Sequence, residues 1–201
     1  MTEFVNALKI LKQNDLNLGK VIDLIKPEYQ KKEDDDFTSL VKIIIGQQLS
    51  NSAAKTIITR VENYLGEKTF NLKTIESASN KNLRLCGISN AKVNYIKSFS
   101  ETLIQTPKYF TNLRKNNADQ ILTELCKIKG VGIWTASIFA MGSLNHKNIF
   151  PYGDVSLNKA IKVIYKEDLN QEEVISKWSP YKSYACRVLW QWVDKGMPNI
   201  S

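Results

Sequence analysis

The chain has 201 residues, 43% hydrophobic and 24% charged, a composition ordinary for a globular protein with one large core or two small ones. It contains neither an apolar run of the roughly 18 residues that span a bilayer nor a secretory signal after Met1, so we expect a cytoplasmic, nucleoid-associated protein without a membrane partner. The formal net charge of +8 is spread along the chain and predicts a basic folded surface, which favours nucleic acid as the partner.

Helical periodicity dominates the first two thirds of the chain. Apolar residues recur at helical spacing over 37–45, 53–65, 93–103 and 121–125. Serine, asparagine or aspartate stands before each later segment as a candidate N-cap: Ser50 or Ser52, Asn80, Ser89 or Asn90, and Asn117 or Asp119.

The last third continues the same pattern. We expect an apolar helix over about 134–144, a loop rich in proline and glycine, and a helix over about 155–165. Pro180 is expected in the first turn of a last long helix. Because no segment alternates with a period of two residues, the sequence predicts an all-α fold of nine or ten helices with short connections.

The cysteines and the single histidine argue against a metal centre. Cys86, Cys126 and Cys186 are widely separated, whereas a zinc site or an iron–sulfur cluster needs closely spaced thiolates. His146 is the only histidine, which excludes a paired-histidine site. We therefore expect no iron–sulfur cluster and no required cofactor.

A turn with two glycines is the most informative segment of the chain. In Ile128-Lys129-Gly130-Val131-Gly132-Ile133-Trp134-Thr135-Ala136, one apolar helix ends and another begins at once. Glycine permits a positive φ and close approach of a ligand to the backbone, and a helix N-terminus offers unpaired N–H groups. The turn therefore indicates a phosphate-binding cradle that reads no base, although a plain helix–helix turn is the alternative.

A single carboxylate follows in the loop Phe150-Pro151-Tyr152-Gly153-Asp154. Taken alone, Asp154 is best interpreted as the N-cap of the next helix. A fixed carboxylate can also stabilise a developing positive charge and orient or deprotonate water.

The hairpin and the loop together resemble those of the helix–hairpin–helix (HhH-GPD) DNA glycosylases, in which a (Pro/Lys)-Gly-(Val/Ile)-Gly turn and x-x-Thr-Ala precede a loop with an aspartate. The resemblance covers about residues 37–195. Further motifs are similar to the DNA-3-methyladenine glycosylase II branch: Ile45-Gly46-Gln47-Gln48-Leu49-Ser50, Cys86-Gly87-Ile88-Ser89-Asn90-Ala91-Lys92 and Trp178-Ser179-Pro180-Tyr181-Lys182-Ser183-Tyr184-Ala185.

This resemblance implies an all-α, two-lobed helical HhH-GPD fold with an active-site cleft between the lobes. It places a six-helix lobe with the hairpin at 37–142, and a second helical lobe with the aspartate loop at 1–36 plus 143–201. It also implies a monomer that binds double-stranded DNA containing damaged bases.

The resemblance assigns DNA contacts to the hairpin and to the end of an earlier helix. Phosphate-binding amides are carried over to Gly130, Gly132 and Thr135. A structural Na⁺ or K⁺ is expected on the backbone carbonyls of Cys126, Ile128 and Val131. Lys129 replaces the commoner proline and adds a charge near DNA. The side chain that fills the gap left by a flipped base is expected to be Gln48, and after it Leu49.

The resemblance also implies the reaction. Bifunctional relatives carry a lysine two residues after the second hairpin glycine, where this chain has Trp134, so we expect a monofunctional enzyme without AP-lyase activity. Asp154 is the expected catalytic carboxylate. Trp134, Trp178 and Tyr152 are expected walls of a base pocket, with core packing as the alternative for the tryptophans, and Ile138 stands where the branch often has another aromatic residue.

The expected substrates are alkylated purines of the 3-methyladenine and 7-methylguanine type, since a cationic base stacks well on electron-rich rings. One alternative is a non-catalytic helix–hairpin–helix DNA-binding module. Another is a glycosylase for a different damaged base.

Overall fold

The computed structural model describes residues 2–29, 34–165 and 170–200. All regular secondary structure in these ranges is α-helical, which confirms the predicted fold class. The helices are α1 (Thr2–Asn14), α2 (Leu16–Ile25), α3 (Asp36–Gly46), α4 (Asn51–Leu65), α5 (Leu72–Ser77), α6 (Asn80–Leu85), α7 (Asn90–Gln105), α8 (Tyr109–Leu113), α9 (Ala118–Cys126), α10 (Ile133–Gly142), α11 (Val155–Tyr165), α12 (Gln171–Lys177) and α13 (Lys182–Asp194).

The described ranges hold thirteen helices, more than the nine or ten expected. The difference comes from short helices such as α5, α6 and α8, which have five or six residues and are too short to show an amphipathic repeat. None of the described helices combines the length and the apolar character that a bilayer crossing requires.

Side-chain caps start several of the predicted helices. The Ser50 side chain accepts from the backbone N–H of Ala53 at the start of α4, and Ser89 does the same for α7. Asn117 forms a reciprocal capping box with Gln120 at the start of α9. Asn80, in contrast, is the first residue of α6 and does not cap it.

The last helix begins later than the sequence suggested. The peptide bond between Ser179 and Pro180 is cis, and α13 begins at Lys182, so Pro180 precedes the helix instead of occupying its first turn. The backbone N–H of Tyr181 donates to the carbonyl of Trp178, which closes a turn over the residues where the first helical turn was expected.

The chain divides into two compact units, one of residues 1–31 and 145–201 and one of residues 32–144. In the first unit, α13 packs against α1, α2 and α11. In the second, α3 packs against α4, α7 and α10, and α9 packs against α10. Each unit buries its own apolar side chains, among them Leu18, Trp178 and Trp192 in the first and Leu40, Phe99 and Phe139 in the second.

Candidate active site and nucleic-acid interface

The glycine turn predicted to bind phosphate joins α9 to α10 in the 32–144 unit. Gly130 has φ +85°, a conformation that favours glycine, and the backbone N–H of Val131 donates to the carbonyl of Ile128 at 3.0 Å. Gly132 is the N-cap residue of α10 and has no side chain that could accept from the helix. No side chain therefore caps the first backbone N–H groups of α10. A site for an external anion requires such uncapped N–H groups.

A second restriction on Gly130 is steric. A Cβ atom built at this position would lie 2.0 Å from Cδ2 of Tyr95, a distance that no side chain tolerates. The ring of Tyr95, on α7, therefore packs directly against the backbone of the turn. Only glycine meets both the steric and the conformational requirement at this position.

Gln47 supports the turn and was not among the predicted site residues. Its side-chain Nε2 donates to the carbonyl of Gly130 and to Oγ1 of Thr135, both at 2.9 Å. Thr135 is buried, and its side chain lies in the interior of this unit. Its backbone N–H lies in the first turn of α10. The sequence signal was the pair Gln47-Gln48 at the end of a helix, from which the second glutamine alone was selected.

The residues predicted to enter the duplex lie beside Gln47. Gln48 has φ +59°, which is uncommon for a residue with a side chain, and Leu49 is 39% exposed. Lys129 is exposed on the turn itself, and Lys127 is exposed while paired with Glu124. These exposed side chains are accessible, and their contact with DNA stays a prediction.

Two predicted pocket residues share one face of α10. Trp134 and Ile138 are four residues apart, hence on the same side of the helix, and both are half-buried. Trp134 belongs to the first turn of α10, next to the candidate phosphate-binding amides. The two half-buried apolar side chains thus lie within one or two helical turns of the candidate phosphate-binding amides.

Asp154 directly precedes α11 in the other unit, and the structure shows the N-cap contact that the sequence allowed. Its Oδ1 accepts from the backbone N–H of Leu157 at 2.9 Å and from Nε1 of Trp190 at 3.3 Å. Gly153, with φ +85°, turns the chain into the helix, and the Asp154 side chain is buried at 8% exposure. The helix N-terminus and the indole N–H both stabilise a negative charge on this carboxylate.

Trp190 is a residue that the sequence reasoning missed. It is half-buried on α13, away from the face formed by Tyr184, Val188 and Trp192, which made it look like an ordinary surface residue. An aromatic side chain off the core-facing stripe was the available signal. The structure gives this indole a direct contact with the candidate catalytic carboxylate.

The surroundings of Asp154 include a buried thiol and an exposed ring. Burial raises the pKa of Cys186 well above its usual value, and the charge of Asp154 raises it further. Tyr152 is 46% exposed and donates through its hydroxyl to Glu172 at 2.9 Å. Burial, together with this bond, raises the pKa of Tyr152. Tyr152 is therefore accessible at 46% exposure, and its place in a base pocket stays a prediction.

Trp178 does not have the accessibility expected of a pocket wall. Its side chain is fully buried, and Nε1 donates to the carboxylate of Asp15 at 2.8 Å. Its ring contacts that of Phe150 in the interior of its own unit. Of the two interpretations that the sequence left open, core packing is the one found, because burial satisfies the indole N–H and leaves no ring surface for a base.

The predicted residues fall into two groups. The hairpin, Gln48, Leu49, Trp134 and Ile138 belong to the 32–144 unit, and Tyr152, Asp154 and Trp178 belong to the other. Among the described residues, no group of three or more histidine, cysteine, aspartate or glutamate side chains is arranged to hold a metal ion.

Comparison with known proteins gives a family match over most of the chain. The family model described as HhH-GPD superfamily base excision DNA repair protein matches residues 41–179. A Bacillus subtilis (strain 168) protein with the provisional name DNA-3-methyladenine glycosylase YfjP is 29% identical over 169 residues. That alignment covers 79% of this chain and 59% of the relative, so the chain spans less than two thirds of that protein's length.

Solved structures show the same arrangement of helices. A DNA-3-methyladenine glycosidase from Bacillus halodurans superposes with a TM-score of 0.77 at 31% identity, covering 92% of this chain and 88% of that one. A 3-methyladenine DNA glycosylase from Schizosaccharomyces pombe in complex with abasic DNA gives a TM-score of 0.84 at 20% identity. That second match covers 96% of this chain and 99% of the other, and it supports the fold alone.

Proposed function

The chain belongs to the HhH-GPD superfamily of base excision DNA repair proteins, and from this premise we propose that it is a DNA glycosylase that excises alkylated purines. Asp154 carries the proposal. It is a carboxylate held at a helix N-terminus by two hydrogen bonds, in the loop position where this family has its aspartate. The same contacts also serve a helix cap, so the family position of this aspartate, and not the contacts alone, favours catalysis over a DNA-binding module.

In the proposed reaction the hairpin amides hold a phosphate of the damaged strand, and the target nucleotide leaves the duplex. The ring of Trp134 stacks on the alkylated base, with Ile138 beside it and Tyr152 as a further contact. Breaking the glycosidic bond builds positive charge on the deoxyribose, which Asp154 stabilises, and the same carboxylate orients or deprotonates the attacking water. An alkylated purine already carries a positive charge, so it leaves without help from a general acid.

The test of this function is detection of the free base. Purified protein is incubated with a duplex treated with a methylating agent, and the small-molecule fraction is analysed by mass spectrometry. We expect 3-methyladenine and 7-methylguanine, with the DNA strand left intact. Tight binding to the duplex without release of a base would instead support a non-catalytic DNA-binding module. Release of an oxidised or mismatched base from other duplexes would place the enzyme with the alternative glycosylases.

We further propose that the enzyme is monofunctional. A lyase needs an amine that forms a Schiff base with the sugar, and the relevant helix position holds Trp134. Borohydride added during turnover should therefore trap no covalent complex between protein and DNA. A trapped complex on a denaturing gel would contradict this expectation.

The turn also suits a monovalent cation, because the carbonyls of Cys126, Ile128 and Val131 are oxygen donors within one short connection. The carbonyl of Ile128 already accepts one hydrogen bond, and its second lone pair remains suited to a cation. Such an ion would stabilise the turn and strengthen its attraction for phosphate. Replacing Na⁺ and K⁺ with tetramethylammonium at constant ionic strength should weaken DNA binding, and equal affinity in both buffers would argue against the site.

A monomer acting on double-stranded DNA completes the proposal. Sedimentation velocity should give a single species near 23 kDa, close to the 22.9 kDa of the chain. The positive net charge predicts affinity for DNA that falls steeply with salt, since binding releases counterions from the phosphates.

A further inference from the structure

Helix α7 contacts both segments that the proposed function assigns to DNA, the end of α3 and the hairpin. Lys92 and Tyr95 lie three residues apart and therefore on the same side of α7. Lys92 contacts the end of α3, and Tyr95 packs on Gly130 of the hairpin. All of these residues belong to the 32–144 unit.

Lys92 holds the main chain at the point where α3 ends. Its Nζ donates to the carbonyl of Ile45 at 2.9 Å and to the carbonyl of Gln47 at 2.7 Å. The last carbonyls of a helix lack partners within it, and a cation there is favoured by the helix dipole. Lys92 is half-buried, and this burial lowers the pKa of its ammonium group. The bond to Gln47 lies directly before Gln48, whose φ is +59°.

Gln47 connects the same point to the hairpin. Its carbonyl accepts from Lys92, while its side-chain amide donates to Gly130 and Thr135 on both sides of the phosphate-binding turn. One residue therefore bonds to α7 through its main chain and to the hairpin through its side chain. The segment Gln48–Leu49 follows immediately and projects a 39% exposed leucine.

We infer that Lys92, Gln47 and Tyr95 are positioning residues that join the Gln48–Leu49 segment to the hairpin as one rigid element. Phosphate binding by the turn then brings the inserting side chain to a fixed depth in the duplex, so that phosphate binding and side-chain insertion occur together. This inference rests on the proposed DNA glycosylase function, because it assigns a task to contacts around the same DNA-binding surface.

The chain supplies a matched control on the same helix. Lys97 also donates through Nζ to two backbone carbonyls, those of Glu76 at 2.9 Å and Ala78 at 2.5 Å, at the end of α5. Lys92→Met and Lys97→Met therefore remove the same chemistry from two helix ends. They differ in that the Lys92 contacts adjoin the DNA-binding segments.

The experiment compares three quantities for each variant. They are the single-turnover rate of base release from a methylated duplex, the Kd for an undamaged duplex, and the fluorescence of 2-aminopurine placed next to a tetrahydrofuran abasic-site analogue. For Lys92→Met we expect the rate and the fluorescence increase to fall about tenfold, as for loss of a hydrogen bond to a charged group, while Kd changes less than about threefold. Lys97→Met should leave all three within about twofold.

A conservative variant and a second route test the same link. Lys92→Arg keeps a cation with several donors and should recover most of the rate. Gln47→Met removes the amide donors from the hairpin and should reproduce the Lys92→Met pattern, and it carries the test if Lys92→Met does not fold.

Two different failures are distinguishable. If the wild-type protein releases no base, the proposed function fails. The fluorescence measurement on the abasic analogue still tests whether phosphate binding by the hairpin is coupled to side-chain insertion. If the wild-type protein is active and Lys92→Met and Lys97→Met lower the rate equally, the contacts of Lys92 serve only stability and the inference is overturned. A parallel loss of Kd and rate in Gln47→Met would overturn it as well.

Discussion

Asp15 and Asp154 hold the N-termini of α2 and α11 with the same types of hydrogen-bond donor, which Asp15 receives on its two different oxygens and Asp154 on Oδ1. Each carboxylate accepts from the backbone N–H three residues later and from a tryptophan Nε1, Trp178 for Asp15 at 2.8 Å and Trp190 for Asp154 at 3.3 Å. Their exposures are also similar, 5% and 8%. A helix cap and a candidate catalytic carboxylate therefore accept from the same types of donor here, and burial of the carboxylate does not tell them apart.

The surroundings of the two aspartates differ. Asp15 also accepts from the hydroxyl of Tyr165 at 2.5 Å, and Trp178 is fully buried, so this carboxylate belongs to a closed core network. Burial and the bond to Asp15 raise the pKa of Tyr165 well above its usual value. Trp190, in contrast, is half-buried. In this pair, the candidate catalytic carboxylate is therefore the one with a partner that reaches the surface.

The largest expected effect is on base release by Asp154→Asn. Asparagine keeps an oxygen that accepts from Leu157 and Trp190, but it removes the charge that we propose stabilises the cationic transition state. We expect the single-turnover rate to fall by about 10² or more, by analogy with loss of one preorganised electrostatic contact. Affinity for undamaged DNA should change less than about threefold in an anisotropy titration. A rate near that of the wild type would remove Asp154 from the mechanism.

Asp15→Asn should instead lower stability. The variant loses the charge of a buried acceptor that receives Tyr165 and Trp178, which we expect to cost about 1–3 kcal/mol in the free energy of unfolding. For a chain of this size that corresponds to a decrease in Tm of roughly 2–12 °C, measured by calorimetry. Base release per folded molecule should stay within about twofold of the wild type. A specific loss of rate at unchanged Tm would mean that the two aspartates have been assigned the wrong way round.

Smaller effects are expected from the two tryptophans, a loss of stability at Trp178 and a loss of base-release rate at Trp190. Trp178→Phe removes a buried indole N–H and should cost about 1–2 kcal/mol of stability with little change in rate. Trp190→Phe removes a donor to Asp154 and should lower the rate about threefold to tenfold, while stability changes by less than about 1 kcal/mol. Urea unfolding and single-turnover assays on both variants give the comparison. Equal losses of stability would show that Trp190 is a core residue like Trp178.

The smallest effect concerns the thiol beside Asp154. Because burial raises the pKa of Cys186, and the charge of Asp154 raises it further, this cysteine stays a neutral thiol near pH 8. Burial also raises the pKa of Cys86, whereas Cys126 is exposed. Maleimide should therefore label Cys126 in the native protein and all three cysteines in urea, as read by peptide mass spectrometry. Rapid native labelling of Cys186 would show that the region around Asp154 opens easily.

The sequence predicted the parts of this protein that depend on neighbours along the chain. The capping serine or asparagine of α4, α7 and α9 and the helical spacing of apolar residues are local signals, and the predicted helices followed from them. The glycine turn and the Asp154 cap were predicted for the same reason. Gly130 takes a positive φ, and Asp154 caps the helix that begins at Val155.

The contacts that the sequence missed are the long-range ones. Trp178 donates to Asp15, 163 positions earlier in the chain, and no local sequence pattern predicts that bond. In the pair Gln47-Gln48, the residue types are identical, and only the fold determines that Gln47 bonds to the hairpin while Gln48 takes a positive φ. Trp190 was missed because it lies off the core-facing side of α13. Its contact with Asp154 joins two elements that are separated in sequence, so no local pattern predicts it.

The central claim is that Asp154 has a chemical role where Asp15 has a structural one. The most direct test is the ratio of single-turnover base-release rates of Asp154→Asn and Asp15→Asn, on one methylated duplex, at a temperature at which both variants are folded. We expect Asp154→Asn to be slower by about 10² or more, with Asp15→Asn close to the wild type. Equal rates for the two variants would contradict the claim.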